Sequence, residues 1–261
     1  MEKRKDLIVY KNEFNKIPLK HFTASEMDLL FVIMSQMRNK GVEEVEFDFD
    51  QLKSLSKYNK ENAINSFVKD LESTYDKLIS LNVKLGTSTE FTKFVFFTKY
   101  SVSVKHQTVN IKVNEEFSHL INELTGNFTK LELNEITSLK STYSKNMYRL
   151  LKQFRATGYA TFDLETFKEI LDIPESYSIG NITQRVLNPI MEELPEYFKN
   201  LRYNKLKGKG ENKRRIVRLE FLFMPDDGLN EGKRTFRDKN GEYYEKYISD
   251  FTEEEIKKAY P

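Results

Sequence analysis

Residues Phe47-Asp48-Phe49-Asp50-Gln51-Leu52-Lys53-Ser54-Leu55 align without a gap onto Phe162-Asp163-Leu164-Glu165-Thr166-Phe167-Lys168-Glu169-Ile170. A match this short can arise by chance. Its weight comes from order: each copy follows a long helical pattern and precedes a short helix, a second long helix and a pair of strands. The chain therefore reads as one unit used twice, in the sequence helix, strand, helix, helix, hairpin.

In the first copy, after a strand-like Leu7 to Tyr10, Thr23-Ala24-Ser25-Glu26 has the form of a capping box opening an apolar helix that runs to about Arg38. Val45, Phe47 and Phe49 alternate as one face of a strand, and Asp50 is placed to cap a short helix bearing Leu52 and Leu55. From about Lys60 to Leu81, Ile64, Phe67, Val68, Leu71, Tyr75 and Leu78 recur at helical spacing. Strands follow at Asn82–Leu85, Lys93–Val104 and Thr108–Val113, the last two turning at Lys105–Gln107, and a short helix from Asn114 to Leu124 ends at Gly126.

The second copy predicts a helix over Leu139–Phe154 with Tyr143, Met147, Leu150, Leu151 and Phe154 inward, and a strand at Ala160–Leu164. A short helix is predicted at Glu165–Leu171. A longer helix over Ile179–Lys199 is interrupted by Pro189 and Pro195, and a hairpin runs from Leu201 to Met224. This order is that of a helix-turn-helix flanked by a small sheet whose hairpin forms a wing. The expected fold class is α+β: two tandem winged-helix domains, mostly helical, with small antiparallel sheets as wings. The competing reading is a generic α+β domain. The expected boundaries are 1–125 for the first domain, 126–225 for the second and 226–261 for a tail of unassigned role.

With 261 residues, 39% hydrophobic and 31% charged, the chain can bury two cores of ordinary size and is expected to be soluble. The absence of cysteine removes disulfides, cysteine zinc sites and thiol nucleophiles, and is compatible with a reducing cytoplasm. Met1 to Asp6 is charged with no apolar segment behind it, and the longest apolar run, Leu29 to Met34, is far too short to span a bilayer. No membrane association is expected.

Net charge is only +2, but its distribution is uneven. Between Lys199 and Arg218 nine Lys or Arg stand against Glu211 alone, which puts +8 in one hairpin and leaves about −6 for the rest. Strand alternation directs Val217, Leu219, Phe221 and Phe223 inward and Arg214, Ile216, Arg218 and Glu220 outward, while Lys205, Lys207, Lys209 and Lys213 surround the Gly208/Gly210 turn. A basic hairpin suits phosphate contact, although charge runs are commonly just solvated loops.

In the helix from Ile179, the buried face is assigned to Ile182, Val186, Leu187, Ile190 and Leu194, leaving Asn181, Gln184, Arg185 and Asn188 on the other side. Asn and Gln can pair bidentately with adenine and Arg with guanine, so this face can read base edges. The plainer reading makes Asn181 a helix cap and Gln184 and Asn188 solvated surface. Lys140, Ser141, Lys145 and Arg149 are expected on an exposed helix face able to hold phosphates. The first copy presents Asn65, Lys69, Asp70, Glu72 and Asp76, a mixed-sign face less suited to DNA.

Enzymatic readings find little support. His21, His106 and His119 are isolated, so the paired histidines of a metal-dependent nicking centre are lacking, and Gly208-Lys209-Gly210 is not a phosphate-binding loop. Asp226-Asp227 reads as a strand terminator. No catalytic residue, metal or cofactor is assigned, and the protein is not expected to be an enzyme. In the tail, Asp238-Lys239-Asn240-Gly241 reads as a turn and Thr252–Lys258 as a capped short helix, and the whole is read as a flexible partner-binding segment.

The segment Leu139-Lys140-Ser141-Thr142-Tyr143 with the helix ending Leu150-Leu151 resembles the iteron-binding plasmid replication initiators (Rep proteins), as do, in order, Phe162-Asp163-Leu164, Tyr177, Gln184-Arg185-Val186-Leu187-Asn188-Pro189 and the strand Val217 to Phe223. The resemblance covers roughly residues 5 to 225. It implies two winged helices: the C-terminal one reads repeated double-stranded sites (iterons) at a plasmid origin, and the N-terminal one dimerises and adds DNA contact. It also implies theta-type replication started by monomers that recruit host replication proteins such as the helicase and host initiator, with dimers repressing their own promoter and so controlling copy number. A winged-helix transcriptional regulator without a replication role, and a protein-interaction module without DNA affinity, remain alternatives, because fold does not set function.

Overall fold

The computed structural model describes residues 7–58, 63–80, 83–86, 89–122, 127–210, 213–226, 233–237 and 243–247. In chain order the elements are β1 (Leu7–Lys11), a 3-10 turn (Asn12–Lys16), α1 (Ala24–Met37), β2 (Val45–Asp48), α2 (Phe49–Leu55), α3 (Ala63–Ser80), β3 (Val83–Gly86), β4 (Phe91–Phe94), β5 (Phe97–Ser103), β6 (Thr108–Val113) and α4 (Glu115–Asn122). Then come β7 (Phe128–Glu132), α5 (Leu133–Ile136), α6 (Thr142–Gln153), β8 (Tyr159–Asp163), α7 (Leu164–Leu171), α8 (Ile179–Ile182), a π-helical turn (Thr183–Leu187), α9 (Asn188–Glu193), β9 (Arg202–Lys207), β10 (Ile216–Leu222), β11 (Lys233–Arg237) and β12 (Tyr243–Tyr247). The described residues cluster in two compact units, one from 1–153 with 165–193, the other from 154–164 with 194–261.

The first unit is organised on α1. Its start is the expected capping box: Thr23 Oγ1 accepts from the Glu26 amide at 3.3 Å, and the Glu26 carboxylate accepts from the Thr23 amide at 2.6 Å. Leu29, Leu30, Phe31, Val32 and Ile33 are completely buried. A helix apolar on every side has no solvent face to offer, so it becomes the centre of a core. Beside it Phe96 stacks on Phe117 at 4.5 Å, with Phe14 5.7 Å from Phe96.

A three-stranded antiparallel sheet, β2-β6-β5, belongs to the same unit, and its β5–β6 turn includes Gln107 at φ +54°. The expected Lys93–Val104 strand is two strands: β4 pairs with β3, β5 pairs with β6, and Phe96 between them is buried. The helix after β2 is capped by Asp48 rather than Asp50. Asp48 Oδ1 accepts from the amides of Asp50 (2.8 Å) and Gln51 (3.3 Å), so the helix starts at Phe49, which still reaches the core.

β7 and α5 occupy a stretch to which periodicity assigned nothing. β7 pairs antiparallel with β1, from Leu7↔Glu132 to Lys11↔Phe128. A buried polar network locks this joint: Tyr10 donates to Asn15 Oδ1 (2.9 Å), and Asn15 Nδ2 donates to Thr129 Oγ1 (2.9 Å) and Gln153 Oε1 (3.0 Å). Buried polar groups this well satisfied restrict the core to one arrangement.

The second unit holds the sheet β8-β10-β9, the same strand order as β2-β6-β5. The letter repeat is therefore also a structural one. Asp48 ends β2 and Asp163 ends β8, and in both copies a helix begins at the next residue. Gly158, at φ +66°, turns the chain into β8; a Cβ there would stand 2.4 Å from the Phe223 carbonyl oxygen, a contact only glycine avoids. β11 and β12 pair as an antiparallel hairpin that was not anticipated. The expected tail turn at Asp238–Gly241, the helix at Thr252–Lys258, Asp227, and the helix end at Gly126 lie outside the described residues.

Candidate nucleic-acid interface

The helical stretch from Ile179 to Glu193 belongs to the first unit. Ser178, not Asn181, caps it: Ser178 Oγ accepts from the Asn181 amide at 3.2 Å. Within the π turn the Asn188 amide bonds to the Thr183 carbonyl, five residues back. Pro189 has no amide to donate, and the wider turn immediately before it lets the helix pass the proline rather than end there.

Ile182, Val186, Leu187 and Ile190 are each at most 1% exposed, while Asn181, Gln184, Arg185 and Asn188 are all exposed. The four polar groups thus share one solvent-facing side, as their spacing predicted. Arg185 is not loose on that side. Its guanidinium carbon lies 5.5 Å from the centre of the Tyr177 ring, and Nη1 donates to the Tyr177 hydroxyl at 3.3 Å. Nearby, burial pushes the Tyr143 hydroxyl pKa up, with Tyr177 and Asp172 adding to the shift and Arg185 opposing it.

The α6 candidates divide. Lys140 is exposed and Ser141 half-buried. Their amides donate to the Glu193 carboxylate, Lys140 at 2.9 Å and Ser141 at 3.2 Å, so a side chain already fills the acceptor position that a phosphate at this helix start would take. Lys145 and Arg149 do not belong to an exposed face, which corrects the expectation for both. Each is fully buried. Lys145 Nζ donates to Asp28 Oδ1 (2.6 Å) and to the Ile136 carbonyl (2.7 Å). Arg149 donates to the carbonyls of Phe14 (3.2 Å) and Ile17 (2.7 Å) and to Asn146 Oδ1 (3.1 Å).

In the second unit the β9–β10 hairpin exposes Lys207, Lys209, Lys213 and Arg214, with Gly210 at φ +59° in its turn. Lys205 is half-buried, its ammonium 5.9 Å from the Tyr203 ring centre. Arg218 is exposed, but its Nε donates to Asp163 Oδ1 at 2.8 Å, so part of its charge is already answered. Leu219, Phe221 and Phe223 are buried as the alternation predicts; a bulge between Ile216 and Arg218 leaves Val217 half-buried. On α3, Asn65, Lys69, Glu72 and Asp76 are exposed, and Asp70 is half-buried, accepting from the Tyr58 hydroxyl at 2.8 Å.

Among the described residues no group of three or more His, Asp or Glu is placed to hold a metal ion, and no helix is long and apolar enough to cross a membrane. Tyr177 and Glu193 had no place among the sequence-derived site residues. Tyr177 was visible only in the family pattern, and nothing local marks Glu193, because its partners lie more than fifty residues earlier.

The family model described as "Initiator Replication protein, WH1" matches residues 7–152, more than half of the chain, and "Initiator Rep protein, WH2" matches residues 163–223. A "Probable replication protein rep" from Bifidobacterium longum (strain NCC 2705) is 36% identical over 191 residues, 72% of this chain; the match spans 64% of that relative's length. Among solved structures, the Pi initiator protein in complex with iteron DNA matches with a TM-score of 0.66 at 16% identity, over 86% of this chain and 99% of that one. At that identity the likeness is one of fold. With the WH1 and WH2 modules matched in order along one chain, this protein belongs to the replication-initiator (Rep) family and has its tandem winged-helix architecture.

Proposed function

We propose that the chain is a plasmid replication initiator that binds repeated double-stranded sites at an origin. The observation that carries this is the exposed set Asn181, Gln184, Arg185 and Asn188 on a helix whose opposite side is fully buried. That helix reads base edges in the major groove. Lys205, Lys207, Lys209, Lys213, Arg214 and Arg218 hold phosphates without regard to sequence, as do the side chains, not the amides, of Lys140 and Ser141. Residues 126–225 are the principal reader, and residues 1–125 supply dimerisation and auxiliary DNA contact. The protein acts in the cytoplasm without a catalytic centre of its own, starts theta-type replication together with the host helicase and initiator, and represses its own promoter as a dimer. A relative named as a replication protein, and a shared fold with the Pi initiator seen on iteron DNA, support the reading.

Arg185→Ala should lower the preference for the cognate site over random duplex by about 10- to 100-fold, the discrimination expected of one bidentate base contact. Competition binding measures it, and equal binding of all duplexes by the unaltered protein would overturn the reader assignment. Lys207, Lys209 and Arg214 changed together to Ala should weaken every duplex alike, on the order of a hundredfold at physiological salt, and reduce the slope of log K against log salt by about 2 to 3. An unchanged slope would remove the hairpin from the interface. Placing the gene's flanking repeats on a replicon that lacks its own initiator, and supplying this chain in trans, separates initiation from mere regulation.

A further inference from the structure

We propose that Tyr177 is a positioning residue that presents Arg185 to a guanine in the recognised site; this rests on the reading of the Ile179–Glu193 helix as the base-contacting element. Tyr177 stands in the loop between α7 and α8, held by its amide's bond to the Pro174 carbonyl at 3.0 Å, and its ring is half-buried. Arg185 is exposed, eight residues on, yet its guanidinium is engaged twice by Tyr177: by the ring face at 5.5 Å and by the hydroxyl at 3.3 Å. An exposed arginine without such support samples many rotamers and must surrender them on binding.

The donor inventory decides what a supported arginine can still do. A guanidinium carries five N–H donors in a fixed fork, and the Tyr177 hydroxyl takes one of them from Nη1. The remaining donors still offer a parallel pair, the pattern that O6 and N7 of guanine accept in the major groove. Contact with the ring leaves that pair unused, free to meet a base edge. Because Tyr177 is a neutral group on the protein side, its contribution falls on Arg185 alone and not on phosphate binding.

The test uses the full chain and a library of randomised duplexes, from which bound DNA is selected and sequenced. Arg185→Ala should lose a guanine preference at one position of the enriched site. Tyr177→Ala should weaken the preference for that same guanine by about two- to fivefold, the range of an exposed cation–π contact, with binding to random duplex unchanged. Tyr177→Phe, which keeps the ring, should retain most of it. In the doubly substituted chain, Tyr177→Ala should cost nothing beyond Arg185→Ala, because the pair acts as one unit. If Arg185→Ala removes the guanine preference and Tyr177→Ala does not, the positioning role is wrong and the helix reading stands. If Arg185→Ala alters no position, both fall. A loss in Tyr177→Ala spread over all positions, or persisting in the Arg185→Ala background, would mark Tyr177 as a folding residue and overturn the proposal; Tyr177→Leu, which keeps the bulk in the loop, guards against a variant that merely unfolds.

Discussion

Lys145→Met should destabilise the protein by about 3 to 5 kcal/mol, the range for breaking a buried ion pair from one side, and the loss should grow with pH. The lysine fits its site closely, with Asp28 at 2.6 Å and the Ile136 carbonyl at 2.7 Å, so its removal leaves the Asp28 carboxylate in the core without its ion-pair partner. Burial already pushes the Asp28 carboxyl up from its ordinary 3.8 to about 7 even though Lys145 opposes the shift, and burial likewise pulls Lys145 down. Without Lys145 the Asp28 value climbs further. A carboxyl whose folded value lies above its unfolded one binds a proton in the folded state that the unfolded chain lacks. That contribution is fully present below the unfolded value and is lost as pH rises through the folded one. Urea unfolding should therefore show Lys145→Met closest to the unaltered protein near about pH 5 and furthest from it above about pH 8. Adding Asp28→Asn should recover most of the stability at the higher pH. A deficit that did not vary with pH would show that Asp28 is not the group left stranded.

Arg149→Met should cost a similar amount, about 3 to 5 kcal/mol, for a different reason. Among the described residues no carboxylate hydrogen-bonds to Arg149; its charge is held by the carbonyls of Phe14 and Ile17 and by Asn146. Burial brings its pKa down from the ordinary arginine range to about 10, opposed by Tyr10. Methionine keeps the bulk but leaves two carbonyls without their donor in a place water does not reach. For a protein of this size the loss corresponds to a fall of about 6 to 20 °C in Tm, readable by calorimetry. Lysine, a single point charge, cannot span three acceptors and should restore only part of it. The folded fraction of Arg149→Met should bind random duplex DNA as before. Unchanged melting with weakened DNA binding would return Arg149 to the surface role that its sequence position had implied.

These two residues mark where local reading stops. Lys145 and Arg149 lie in a helix rich in polar residues, and a long cation on such a helix normally reaches water. Whether it is buried depends on partners that arrive from elsewhere: Asp28 is 117 residues away and Phe14 is 135. The sequence does contain those residues but carries no sign of the pairing. The β1–β7 ladder was invisible for the same reason, since two short strands more than a hundred residues apart leave no periodic trace of each other. The shift of the cap from Asp50 to Asp48 was a smaller matter, one of which carboxylate the backbone brings within reach of the first free amides.

Where burial is decided by immediate neighbours, the sequence was sufficient. Ile182, Val186, Leu187 and Ile190 bury one side of their helix and expose Asn181, Gln184, Arg185 and Asn188 on the other, because apolar spacing alone sets which side faces a core. The Thr23–Glu26 capping box formed because both partners lie within one helical turn. The nine-residue repeat was legible as letters, and the strand orders β2-β6-β5 and β8-β10-β9 repeat it in space. Tertiary structure alone decided which cations the core consumes, that Glu193 ties down the start of α6, and that Tyr177 lies beneath Arg185. Each of those outcomes depends on a contact between segments with no common period, and only the folded chain brings them together.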